Sequence, residues 1–219
     1  NLNLNNSGTW ETLQDGSRIW RLGIKSTDAK SINLTFADFF MPKGATLFVY
    51  NLNKSMVLGA FTDLNNTNDG QFATAITTGF ITVLEYYEPV YSSGQGRLTV
   101  SKVVHAYKDI MGFTSILELP CNININCPLG APWVNQKRSV AKMTFQQGGG
   151  GFLCTGSLVN NTLGDRTPYF LTAEHCASDN WNTLVMDFNY EAATCNGVNS
   201  GSFQSVTGAT LKASNFDTD

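Results

Sequence analysis

Charge is scarce in this 219-residue chain. The 14 Lys+Arg and 17 Asp+Glu make up only 14% of it, against about 25% in ordinary globular domains. The net charge of -3 and pI near 5.3 leave no cationic surplus, so binding nucleic acid through phosphate neutralisation lacks its usual footprint. No apolar run approaches the roughly 18 to 20 residues that span a bilayer, and no Lys/Arg-headed apolar leader opens the chain. The expectation is a soluble protein that starts downstream of any export signal. No repeat of solenoid period is visible. Cysteine is missing from the first 120 residues and nowhere forms a C-x-x-C pair, which removes the ligand spacing of zinc ribbons and fingers.

Apolar material, in contrast, is ample. Hydrophobic residues make up 42% and aromatics 11% of the chain, enough to build cores and to exclude wholesale disorder; the length favours two domains. Residues 1 to about 105 read as short strands. Apolar and polar residues alternate in Ser31-Ile32-Asn33-Leu34-Thr35-Phe36, and β-branched or aromatic residues fill Thr46 to Tyr50 and Ile81 to Tyr87. Turn residues separate the runs at Asp15-Gly16, Pro42-Lys43-Gly44, Asp69-Gly70 and Gly94-Gln95-Gly96. About eight such strands suggest a β-sandwich. Alternation is lost after His105, which puts a linker at about 107–120. Beyond it, strand candidates at Ser139 to Phe145, Phe152 to Val159 and Tyr169 to Thr172, with a glycine-rich hairpin at Gln146 to Gly151, again read as all-β.

The five cysteines are better read as disulfides than as metal ligands, which implies an oxidising compartment. Two bridges with one cysteine left over can be drawn in fifteen ways, so pairing stays open, and the odd count points to a partner outside the visible chain. Of the two histidines, His105 ends an alternating strand with no acid or nucleophile pattern beside it and reads as structural. His175 is different: the apolar strand Tyr169-Phe170-Leu171-Thr172 runs straight into Ala173-Glu174-His175-Cys176. A bridge at Cys176 would hold the backbone beside the imidazole, and one from Cys154 would add roughly 3 kcal/mol in the chain-entropy account.

Cys154-Thr155-Gly156-Ser157-Leu158-Val159 followed by Phe170-Leu171-Thr172-Ala173-x-His175-Cys176 resembles the signature around the catalytic histidine of trypsin-like serine endopeptidases. Within them it is most similar to the secreted bacterial lysyl endopeptidases, which share a Cys121-Asn122-Ile123…Cys127-Pro128 opening, a Ser157 to Thr162 stretch and a Phe188-Asn189-Tyr190…Thr194-Cys195 segment. The resemblance covers about residues 121–219. Residues 1 to about 105 resemble the propeptide-region domain ahead of some of these proteases, through Gly8-Thr9-Trp10, Ile19-Trp20-Arg21-Leu22, Pro42-x-Gly44-Ala45 and Glu85-Tyr86-Tyr87-Glu88-Pro89.

The resemblance implies an all-β chain: a β-sandwich propeptide-like domain (1–106), a linker (107–120) and the amino-terminal half of the peptidase domain (121–219). That half would be the first β-barrel of a chymotrypsin-like double barrel whose second barrel is absent from this chain. It makes His175 the general base and Asp219, 44 residues later, the acid that orients it, with Asp217 as the alternative. It pairs Cys154 with Cys176 and Cys127 with Cys195, and leaves Cys121 for a cysteine outside the chain. It implies a protein or peptide substrate and preference for lysine; no cofactor and no metal are expected, and charge and hydropathy give no expectation of nucleic acid or membrane.

One part of the family pattern is missing. No Gly-Asp-Ser-Gly or G-x-S-x-G sequence occurs, so the nucleophilic serine is expected beyond Asp219 and this fragment alone is expected to be inactive. Ser157 belongs to a core strand in the family pattern and is not a nucleophile. Release of the sandwich is expected by cleavage between Tyr107 and Cys121, with Lys108 a candidate. Asp63 to Gly70 offers oxygen donors, but its glycine comes too late and position 12 is Thr74, which excludes an EF-hand; a solvated hairpin loop is expected. The competing function class is a binding module, with Trp10 and Trp20 recognising glycan or a cell surface on a degenerate protease-like scaffold.

Overall fold

The computed structural model describes residues 1–109, 123–197 and 203–218, and the chain divides into two compact units, Asn1–Ile110 and Met111–Asp219. Of the expected linker, residues 110–120 lie outside the described residues. The first unit contains β1 (Leu2–Asn3), β2 (Thr9–Thr12), β3 (Arg18–Lys25), β4 (Ser31–Phe40), β5 (Thr46–Asn51), β6 (Val57–Phe61), β7 (Phe72–Ala73), β8 (Thr77–Thr78), β9 (Ile81–Glu88) and β10 (Arg97–Ala106). They form two antiparallel sheets, β2-β3-β9-β5-β6 and β1-β10-β4-β7, with β8 also on β4. Side chains from both sheets, among them Leu22, Leu47 and Leu84 from one and Leu34, Phe36 and Leu98 from the other, make one core. That is sandwich packing.

In β9, read from its β-branched and aromatic content, every second residue from Thr82 to Glu88 is buried. β4 carries the alternating sequence but not alternating burial: all six residues from Ser31 to Phe36 are buried. The strand is hydrogen-bonded on both edges, and the return segment adds hydroxyl partners: Thr74 Oγ1 accepts from Leu34 N at 3.1 Å and Thr77 Oγ1 donates to Ile32 O at 3.1 Å. Buried backbone groups need such partners.

The motifs of this unit serve packing. Trp20 is fully buried and its indole N–H donates to Ser7 O at 2.8 Å, so it offers no surface to a glycan. Gly8, at φ +72°, passes so close that a Cβ would sit 2.7 Å from Trp20 Nε1. Trp10 is half-buried, donates to Leu4 O at 3.0 Å and lies under the Arg18 guanidinium. Burial of Trp20 removes half of the aromatic platform on which the binding-module expectation rested. The buried carboxylate of Glu88 receives Arg18 Nε at 2.8 Å, Gly94 N at 3.0 Å, and the hydroxyls of Tyr86 and Ser93, each at 3.2 Å. A Cβ at Gly96 would lie 2.1 Å from the Tyr86 hydroxyl. In the Asp63 to Gly70 loop the polar groups serve the chain itself: Asn66 clamps Met41 N and O at 2.7 and 2.9 Å, and Thr67 Oγ1 donates to Asp69 Oδ1 and Gln71 O.

The second unit opens with a 3-10 segment, Pro128–Trp133, and a short helix α1 (Val134–Lys137). Then follow β11 (Val140–Gln147), β12 (Gly150–Val159), β13 (Tyr169–Thr172), β14 (Val185–Phe188) and β15 (Gln204–Thr207). They pair antiparallel in the order β13-β12-β11-β14-β15, an open path among the described residues. The chain is thus all-β in class, and the short helix is incidental. β11 and β12 are joined through Gly148 and Gly149, at φ +55° and +83°, the left-handed pair that a two-residue hairpin turn requires. Ala141, Met143, Phe145, Leu184, Met186 and Cys176 form the core. Cys127 is bonded to Cys195, and Asn126 Nδ2 donates to Ala192 O at 2.6 Å alongside it.

A charged pair lies on the opposite face of this sheet from Met143. Lys142 and Asp187 face each other across β11 and β14, with Nζ 3.1 Å from Oδ2 and side chains only 12% and 1% exposed. Tyr190 covers the ammonium at 3.8 Å, and Ser205 Oγ donates to Asp187 Oδ1 at 2.6 Å. Burial pulls the Lys142 ammonium below the usual lysine range, and Asp187 opposes the shift.

Candidate active site

His175 is held by three neighbouring devices. The first is the pairing of β12 with β13, which sets Gly156 opposite Thr172 and Ser157 opposite Leu171. Gly156 is needed there because a Cβ would lie 2.2 Å from the Phe170 ring and 2.8 Å from Leu171 O. The second is the Thr172 hydroxyl, which donates to Thr155 O at 3.0 Å and ties the last residue of β13 back to β12. The third is the covalent bond between Cys154 and Cys176, whose Cα atoms are 6.1 Å apart.

Between Thr172 and Cys176 the chain leaves the sheet. Ala173 is extended (φ -67°, ψ 151°), and Glu174–Cys176 form one 3-10 turn closed by Cys176 N donating to Ala173 O at 3.2 Å. The turn sends Cys176 into the core, at 3% exposure, and leaves His175 exposed. A ring nitrogen of His175 and the sulfurs of Cys154 and Cys176 all lie within 4.8 Å of one another. Three such ligands, two thiolates and an imidazole, could hold a metal ion, but in the bridge both sulfurs are bonded to each other, and no thiolate is available to bind one.

The other sequence candidates are distributed as follows. Asp217 is exposed on a separate 3-10 turn, Phe216–Thr218, where its N–H donates to Asn215 Oδ1 at 3.0 Å. Asp219 and Cys121 lie outside the described residues. Ser157 is on β12, an odd number of residues from Cys154, so the pleat turns it to the other face from the bridge; its Oγ is 3.0 Å from Ser139 Oγ. His105 is in the first unit, exposed at the end of β10, with Nδ1 2.8 Å from Ser26 Oγ. The sequence reading passed over the Lys142–Asp187 pair; the signal that could have found it was a lone charge inside each of two otherwise apolar or hydroxyl-bearing segments.

Two comparisons bear on this arrangement. Residues 119–219 match the sequence profile of the lysyl endopeptidase C-terminal domain. The chain is also 26% identical over 217 residues to a lysyl endopeptidase of Pseudomonas aeruginosa, an alignment covering 90% of this chain and 46% of that protein. The alignment therefore runs through most of the first unit as well, and the chain spans about half the length of the relative. The chain is lysyl endopeptidase-like.

Proposed function

We propose, from this kinship, that the intact protein is a secreted serine endopeptidase that cleaves after lysine, with His175 as its general base. The observation that carries the reading is the exposed imidazole on a turn fixed by the Cys154–Cys176 bridge. A serine hydroxyl is too weakly acidic to attack a peptide carbonyl unaided. His175 would take its proton as the tetrahedral intermediate forms and return it to the leaving amine. Asp219, or else Asp217, would accept a hydrogen bond from the other ring nitrogen, fix the tautomer and stabilise the imidazolium. The serine and its oxyanion hole would come from a segment following Asp219, and the five-stranded sheet would belong to the first of two barrels flanking the cleft.

The first unit fits a folding aid or inhibitor, released by hydrolysis after Lys108, which is exposed just past the end of β10. The test is expression of the intact protein and assay on paired peptide amides differing only in lysine or arginine at the scissile position. Turnover of the lysyl amide, lost in His175→Ala, supports the reading. An intact protein with no peptidase activity, or one whose activity survives His175→Ala, overturns it.

A further inference from the structure

The nine lysines of the chain divide unevenly in exposure. All six in the first unit, Lys25, Lys30, Lys43, Lys54, Lys102 and Lys108, are exposed. In the second unit two of three are covered. The Lys137 ammonium is held between Asn126 Oδ1 at 2.9 Å and Glu191 Oε1 at 2.8 Å, with its side chain 20% exposed. Lys142, with its side chain 12% exposed, is the partner of the buried Asp187, and β11 is hydrogen-bonded to β12 on one side and β14 on the other. To be cut after either residue, the lysine would have to leave its carboxylate and the backbone its helix or sheet. Arginine receives no such cover: Arg138 and Arg166 are both exposed.

Lys212 is the exception. It sits between β15 and the Phe216–Thr218 turn, in a stretch from 208 to 215 that is neither strand nor helix, and every residue from 210 to 217 is exposed. We propose that Lys212–Ala213 is the self-cleavage point of the second unit, an inference that rests on the lysine-directed reading above. Hydrolysis there breaks the amide between the Lys212 carbonyl carbon and the Ala213 nitrogen. Water supplies the hydroxyl to the new carboxyl group and a proton to the new amine. The cut severs the peptide connection between the sheet and the residues carrying Asp217 and Asp219, so activity decays with it. The second unit is then protected against lysine-directed cleavage everywhere except at one point, which sets its lifetime.

The test has two arms. In the first, the intact protein carrying His175→Ala, which silences its own activity, is treated with a trace of an added lysine-specific endopeptidase and the earliest ends are identified by mass spectrometry. Within the second unit the first new amino terminus should be Ala213, ahead of Arg138 and Met143, and Lys212→Gln should slow loss of the intact unit by about tenfold or more, since cleavage follows the population of accessible bond. In the second arm the intact protein is incubated alone; it should generate the Ala213 end as activity declines, and Lys212→Gln and Lys212→Arg should both prolong activity. First cuts after Lys137 or Lys142, or an intact enzyme that hydrolyses lysyl amides yet never yields the Ala213 end, overturn the inference and leave the function standing. An intact protein without lysyl peptidase activity overturns both.

Discussion

A ring nitrogen of His175 lies within 4.8 Å of the sulfur of Cys154, a residue of a different element, and a covalent bond through Cys176 maintains that approach. Removing the bridge therefore acts on stability and on the imidazole together. The double replacement Cys154→Ala/Cys176→Ala should cost roughly 3 kcal/mol in urea unfolding by the loop-entropy relation. In the intact enzyme kcat should fall by about 10²-fold, the scale of a reacting group displaced by an ångström. Unchanged kcat at full folding would mean that the bridge does not orient the histidine.

Assignment of the acid is separable from that of the base. In the intact enzyme Asp219→Asn should lower kcat by about 10⁴-fold, as loss of the orienting charge does in the triad template, with KM little changed. Asp217→Asn should stay near the parent. Reversal of the two results would transfer the role to Asp217.

The buried ion pair predicts an asymmetric response. Lys142→Met leaves Asp187 charged at 1% exposure without its partner, and should destabilise the second unit by about 3 to 5 kcal/mol. The double variant Lys142→Met/Asp187→Leu should recover most of that loss, because a packed apolar pair carries no desolvation cost. Denaturant midpoints of the parent, the single and the double variant decide it. A double variant no better than the single would mean that packing around Tyr190, rather than the charge, is what fails.

Tyr86 sets an alkaline limit on the first unit. Burial, reinforced by the nearby Glu88, pushes its phenol above the ordinary tyrosine value. The folded state then keeps a proton that the unfolded chain releases above pH 10, so stability falls as pH rises beyond that point. The slope is at most about 1.4 kcal/mol per pH unit for one group. Tyr86→Phe should lose about 1.5 to 3 kcal/mol at neutral pH with its hydrogen bond to the Glu88 carboxylate, and should show a shallower decline between pH 10 and 11.5 in urea titrations. Parallel declines in the two proteins would assign the alkaline loss elsewhere.

Legibility followed the range of the interactions involved. β9 and β13 could be read from sequence because their alternation or their β-branched and aromatic content is local. β14 could not: Val185-Met186-Asp187-Phe188 looks interrupted by its aspartate, and only the partner on β11, more than forty residues earlier, makes that charge compatible with a buried strand. The burial of Trp20 is hidden from the sequence for a related reason. An indole is apolar with one donor, and nothing in the local sequence says that Ser7 O will take that donor inside the core. Around His175 the motif was legible because its parts do local work: Gly156 makes room for Phe170, and the Thr172 hydroxyl reaches the strand next to its own. Asp219 lies outside the described residues, and the serine pattern does not occur in the chain at all.

The bond from Cys127 to Cys195, with Asn126 reaching Ala192 beside it, has a consequence for the proposed release of the amino-terminal unit. An end created upstream of Cys127 would already be tied covalently to the segment between β14 and β15. On that reading a single cut would suffice, because the tether that anchors the new end lies wholly within the second unit.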